Sequence, residues 1–165
     1  MNFSNFLLMR HEILLLVITM VLLIAEIFIH KDKKSSIVHL AIFLFGIHTA
    51  IGFFPVEENS LFGGMFHTNA MIHFFKNILN VGVLILLLQS ADWLNEKIVG
   101  ENRGSEFFIL LFSSLLGMYF MISAGDFLMF YIGLELATLP VAALVAYETY
   151  KRDSAEGGVK LVLSS

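Results

Sequence analysis

Long apolar runs separated by short polar stretches divide the chain into five blocks and the beginning of a sixth. The runs cover residues 13–29, 37–54, 71–88, 107–122 and 127–147, and the sixth starts at 155. None alternates with the period of a strand, and each is predominantly apolar. Such runs predict helices that cross a bilayer, whose hydrocarbon core of about 30 Å takes about 20 residues at about 1.5 Å each. The eleven residues from 155 to 165 would rise only about 16 Å, so the sixth helix is expected to begin here without crossing, in the front part of a longer protein. The first run is too long for the apolar core of a signal peptide. His30-Lys31-Asp32 follows it in place of small residues, so it is expected to be retained.

Basic residues alternate along this pattern. Lys31, Lys33 and Lys34 follow the first run, Lys97 and Arg103 the third, and Lys151 and Arg152 the fifth. The stretches after the second and fourth runs hold none, and Arg10 alone precedes the first. By the positive-inside rule the three basic connections are cytoplasmic and the N-terminus lies outside. Trp93, Tyr147 and Tyr150 then fall at the cytoplasmic boundary, where amphipathic rings sit. The fold class expected is an all-α polytopic transmembrane helix bundle, a single membrane domain over residues 1–165 with five full spans and the start of a sixth. The two longest connections, 55–70 and 91–106, read as surface loops. The four residues 123–126 make helices 4 and 5 antiparallel neighbours, with Asp126 as N-cap of helix 5.

Composition agrees, with 58% of residues hydrophobic. The absence of cysteine excludes disulfides, thiolate metal sites, protein-held iron–sulfur clusters and haem attachment within this chain. A net charge of −4, with neither a glycine-rich phosphate loop nor a basic arm, argues against nucleotide and nucleic-acid binding.

Polar groups inside the apolar runs carry the candidate chemistry. Glu135 has no other charged residue for eight positions before it or twelve after, which places a carboxyl near mid-membrane. Burial there costs several kcal/mol, about 3 on insertion scales, unless the group is neutral, hydrated or paired. Pro140 removes the amide that would bond the Leu136 carbonyl, leaving a polar spot beside the carboxyl. Tyr131 and Thr138, at i−4 and i+3, can hydrogen-bond it, and Ala137, Ala142, Ala143 and Ala146 leave room for neighbouring helices. A neutral glutamic acid joining two helices is the competing reading; the adjacent proline favours ion or proton handling. Lys160, about two turns into helix 6, suits a proton carrier or a side chain reaching back to the interface. Its offset from Glu135 argues against direct contact and leaves room for a water-bridged relay. On helix 3, His73, Lys76, Asn77 and Asn80 share one face, which must turn to protein or water. It suits a proton path, or interhelical hydrogen bonding near the outer surface, the reading position favours. Glu26 and His30 read as an interfacial pair, His39 and His48 lie on opposite faces of helix 2, and the six histidines show no metal-ligand spacing.

Residues 105–163 resemble the antiporter-like membrane subunits of respiratory complex I, and within them the subunit N family of bacterial NADH-quinone oxidoreductase. The resemblance rests on Leu115-Leu116-Gly117-Met118, on the Ser123-Ala124-Gly125-Asp126 turn, and above all on the stretch Gly133-Leu134-Glu135-Leu136-Ala137-Thr138-Leu139-Pro140. The segment from Phe62 to Lys76 is similar to the family's approach to helix 3, with Asn69 where an aspartate is usual. Glu135 stands at the family's essential helix-5 glutamate. Lys160 stands at the lysine of a family pattern that reads here Glu156-Gly157-Gly158-Val159-Lys160-Leu161-Val162, with two glycines and no aromatic where the family has alanines and a tyrosine. Members are similar to a fourteen-helix protein in which the glutamate pairs with a lysine two helices further on.

The resemblance implies a proton-translocating subunit of the bacterial inner membrane, in which quinone reduction elsewhere shifts charge along buried carboxylates and lysines. Other membrane subunits and the bilayer are the implied partners, with the quinone pool acting indirectly. No cofactor is expected on this chain; NADH, FMN, iron–sulfur clusters and quinone belong to other subunits. The site residues implied are Glu135 and Lys160, with Lys76 as a further candidate. Two alternatives stay open: a subunit of an Mrp-type cation/proton antiporter, which shares the helix-5 glutamate, and a non-catalytic membrane scaffold.

Overall fold

The computed structural model describes residues 7–28, 35–54, 58–101, 104–146 and 152–164. Six helices run through them: α1 (Arg10–Phe28), α2 (Ser35–Gly52), α3 (Ala70–Glu101), α4 (Gly104–Ser123), α5 (Phe127–Val145) and α6 (Arg152–Ser164). Between α2 and α3 lies a short hairpin of β1 (Asn59–Leu61) and β2 (Phe66–Thr68), joined by a 3₁₀ turn at Phe62–Gly64. By length and composition α1, α4, α5 and the stretch Ala70–Glu96 of α3 suffice to cross a membrane; α2 is apolar but shorter. The expected all-α membrane architecture holds, with the hairpin as an addition.

Leu15, Ile18 and Leu22 of α1 are buried against Ile37, Val38, Ala41 and Phe45 of α2, Leu87 and Leu94 of α3, and Phe108, Phe112 and Leu115 of α4. Phe45 stacks on Phe112 with ring centroids 5.2 Å apart. The outward faces are apolar too: Leu16, Met20 and Ile24 of α1 and Phe127, Leu128 and Ile132 of α5 are exposed. Helices apolar on every side, with polar groups collected between them, suit hydrocarbon as the surrounding medium.

Helix α5 lies against α4, as the short link requires, and its start is fixed by Asp126, whose Oδ1 accepts from the Met129 amide at 2.8 Å. The two backbones touch. A Cβ on Gly117 would lie 2.3 Å from the Ala137 nitrogen, and one on Gly133 would lie 2.7 Å from the Met121 nitrogen. Ser114 closes the contact by donating to the Ala137 carbonyl at 2.9 Å. Ala137 and Ala142 are buried, and Ala146 receives α6 at Gly158, but Ala143 is exposed. Small residues therefore make the helix contacts as expected, with Gly117 and Gly133 closing the tightest one.

Two connections differ from loops. Residues 91–101 continue α3, which reaches 32 residues, about 48 Å at about 1.5 Å per residue and well beyond a bilayer core. The polar extension is held by the buried Leu94 and by Trp93, whose ring meets Phe107 edge-on at 6.0 Å. Residues 59–68 form the hairpin because Gly63 and Gly64 take positive φ at its tip and Phe66 is fully buried. The hairpin is tied to the α4–α5 turn by a bridge between Phe66 and Ala124 and by the Gly125 amide, which donates to the Met65 carbonyl at 2.7 Å. The proposed Glu26–His30 pair and most of the basic connections fall outside the described residues or their described side chains.

Candidate functional site

Glu135 is the ninth of the nineteen residues of α5 and is half-buried. Residues two apart on a helix lie about 200° apart, so Glu135 points away from the Gly133 and Ala137 edge that packs on α4. Its side lines a shallow apolar groove of about 370 Å³ with Tyr131, Ile132, Leu136, Leu139 and Pro140. Tyr131, at i−4, lines the same groove beside the carboxyl. Thr138 turns to the backbone instead: its hydroxyl donates to the Leu134 carbonyl at 3.0 Å, the ordinary satisfaction of a threonine inside an apolar helix.

Lys160 lies on an exposed face of α6 and pairs with Glu156 one turn earlier, at 2.7 Å. Its side chain is 73% exposed. The structure thus joins Lys160 to its own helix, and among the described residues no ion pair links it to Glu135.

Lys76 is different. Its side chain is 0% exposed, and Nζ lies 2.5 Å from Oε1 of Glu12 on α1. The ammonium also sits 5.1 Å from the ring centre of Phe66 and 5.7 Å from that of Tyr119, so aromatic faces replace part of its lost hydration. Around the pair stand groups from every neighbouring element. His11 of α1 and His73 of α3 hydrogen-bond at 3.0 Å, and the other ring nitrogen of His73 meets Thr68 of β2 at 2.8 Å. Tyr119 of α4 donates to Asn80 and meets His48 of α2 at 3.1 Å. Asn77 donates to the Gly52 carbonyl at 2.8 Å, which it reaches because Gly52 has no side chain to block it. Arg10 donates to the Gly52 and Phe54 carbonyls, satisfying groups left open at the end of α2.

The polar stripe of α3 therefore faces protein, as its periodicity predicts, and it belongs to a four-helix polar cluster at one end of the bundle. His48 is buried and His39 exposed, in line with their opposite faces. Three histidines meet in space without metal-ligand spacing in sequence, yet among the described residues no group of side chains is arranged to hold a metal ion. Sequence reasoning missed Glu12, His11 and Tyr119. Glu12 precedes the apolar run, so a hydropathy window leaves it in the terminal segment. The alternation of helix directions carries the signal: α1 and α3 both start at the same end, which puts Glu12 level with Lys76.

Fold and site together define a class: a polytopic helical membrane protein with a charge-paired polar centre between its helices. No family model matches the chain. The chain is 40% identical over its whole length to NADH-quinone oxidoreductase subunit N of Phocaeicola vulgatus, spanning 34% of that protein. It is also 40% identical, again over its whole length, to the subunit N of Azobacteroides pseudotrichonymphae, spanning 35% of it. The subunit N of Rhodospirillum rubrum is 34% identical over 90% of the chain, which spans 31% of that relative. The chain belongs to the NADH-quinone oxidoreductase subunit N family and covers about a third of the length of these relatives.

Proposed function

We propose that this chain is part of a proton-translocating membrane subunit of NADH-quinone oxidoreductase. It lies with its N-terminus outside a bacterial inner membrane, crosses with α1 to α5, and begins a sixth crossing with α6. Other membrane subunits are its partners, and NADH, FMN, the iron–sulfur clusters and quinone are held elsewhere in the complex. The observation that carries the reading is Glu135. A carboxyl halfway along an apolar nineteen-residue helix is turned away from the packed face toward a groove floored by Pro140. A group that costly to bury is worth keeping where its charge is used.

The mechanism is electrostatic. A lysine brought toward Glu135 favours its ionised form, and a lysine moved away favours proton uptake. Alternating the two loads a proton from one side and releases it to the other. Lys160 supplies a mobile charge on the neighbouring helix, where its exposed pairing with Glu156 is easily exchanged. Lys76, neutralised by Glu12, supplies a second charge centre.

The test is Glu135→Gln in the full-length subunit of the assembled complex in liposomes, with NADH oxidation and internal acidification followed together. The complex should assemble, with transported protons per NADH severely reduced. Normal pumping by the assembled variant would remove Glu135 from the path.

A further inference from the structure

The buried cluster on α1, α3 and β2 holds a feature that neither Glu135 nor Lys160 requires. His73 uses both ring nitrogens, Nε2 with the Thr68 hydroxyl at 2.8 Å and Nδ1 with Nε2 of His11 at 3.0 Å. A neutral imidazole has one donor and one acceptor nitrogen. The row Thr68–His73–His11 is therefore directional and has two self-consistent orientations. In one, the Thr68 hydroxyl donates to Nε2 of His73, and Nδ1–H of His73 donates to Nε2 of His11. In the other, every donor and acceptor is exchanged.

We propose that Thr68, His73 and His11 form a proton relay between the hairpin end of the bundle and the Glu12–Lys76 pair. A proton delivered to Thr68 Oγ1 displaces the hydroxyl proton onto Nε2 of His73. The Nδ1 proton of His73 passes to Nε2 of His11, and the Nδ1 proton of His11 leaves into the cluster. One proton has entered, one has left, no ring has gained net charge, and the row now stands in its other orientation; rotation of the rings resets it.

The surroundings of the row suit this. His73, the middle of the row, lines a groove of about 470 Å³ with Gly52, Phe53, Phe54, Phe74 and Asn77, beside the buried Thr68 hydroxyl that it hydrogen-bonds. Asn77 Oδ1 is buried without a hydrogen-bond partner beside that groove. At the inner end the rings of His11 and Tyr119 lie 5.9 Å apart, and Lys76 sits over the same tyrosine. There Glu12 Oε2, His48 Nδ1 and Asn80 Nδ2 are buried and unpartnered, so an acceptor and further polar atoms stand open. A cluster serving only as glue between helices has no need of a reversible row and would keep its polar atoms satisfied.

The proposal rests on the membrane-subunit reading above, and its test separates the two. His73→Gln, His11→Gln and Thr68→Val are placed singly in the full-length subunit of the assembled complex in liposomes, beside Glu135→Gln. Glutamine retains a donor and an acceptor but cannot pass a proton through a ring. Each assembled relay variant should transport at least twofold fewer protons per NADH than the unaltered complex. An unchanged ratio in the histidine variants overturns the relay. The proton-pumping reading then stands if Glu135→Gln is impaired and falls with it if that variant also pumps normally. Should a variant fail to assemble, ¹⁵N solid-state NMR of the unaltered full-length subunit decides, with His73 assigned through Ile72 and Phe74. Two exchanging tautomers of His73 support the relay, and a single fixed tautomer refutes it.

Discussion

Replacing Lys76 by methionine removes one partner from an ion pair that is sealed from solvent. The charges are 2.5 Å apart. At an effective dielectric constant of about 20 their gross attraction is about 6–7 kcal/mol, most of which offsets the cost of dehydrating both groups. The net effect of removing one partner is therefore set by the charge left behind, and such changes cost about 3–5 kcal/mol. Lys76→Met strands the Glu12 carboxylate, and Glu12→Leu strands an ammonium that is left with two aromatic faces and no counter-charge. The double variant strands nothing and fills similar volume with apolar groups, so it should return to within about 1 kcal/mol of the parent. The assay is unfolding of the full-length subunit in mixed micelles with rising dodecyl sulfate, followed by helical circular dichroism. A coupling of about 3 kcal/mol or more is expected across the cycle. Additive single effects, or singles that each cost under about 1 kcal/mol, would refute the claim that the two charges hold one another in a dry site.

Gly117→Val should separate α4 from α5, because its Cβ would meet the Ala137 nitrogen at 2.3 Å, inside any permitted contact. Cysteine pairs across that crossing should lose their cross-linking yield by tenfold or more. Asp126→Ala removes the side-chain acceptor for the Met129 amide and should lower stability by about 1 kcal/mol in the same micelle assay.

The helices were legible because their signal is local. Runs of apolar residues long enough for a bilayer, interrupted by Asp126, Gly125 and lysine-bearing stretches, mark most boundaries within three residues. Helix α3 is the exception, since hydropathy stops at the membrane boundary while helical hydrogen bonding continues through Asp92, Asn95 and Glu96. The hairpin was illegible for another reason. Its strands are three residues each, too short for a pattern, and they are stable because Phe66 finds a buried site made by distant parts of the chain. At the site, the stripe from His73 to Asn80 declared its buried face through period alone. Its partner did not, because Glu12 pairs with Lys76 across 64 residues and sits where the apolar signal has not yet begun. Lys160 shows the converse, a residue singled out by its apolar flanks that the structure leaves exposed beside Glu156.

The hairpin is also a strap. One strand is laced to Ala124 at the root of α5, while the same strand carries Phe66 over the Lys76 ammonium and Thr68 against His73. Any rocking of the Glu135 helix about its root therefore tugs on the cover and the doorstep of the other polar centre. The two centres, on helices that do not share a charge pair, are geared together by the three residues of β2.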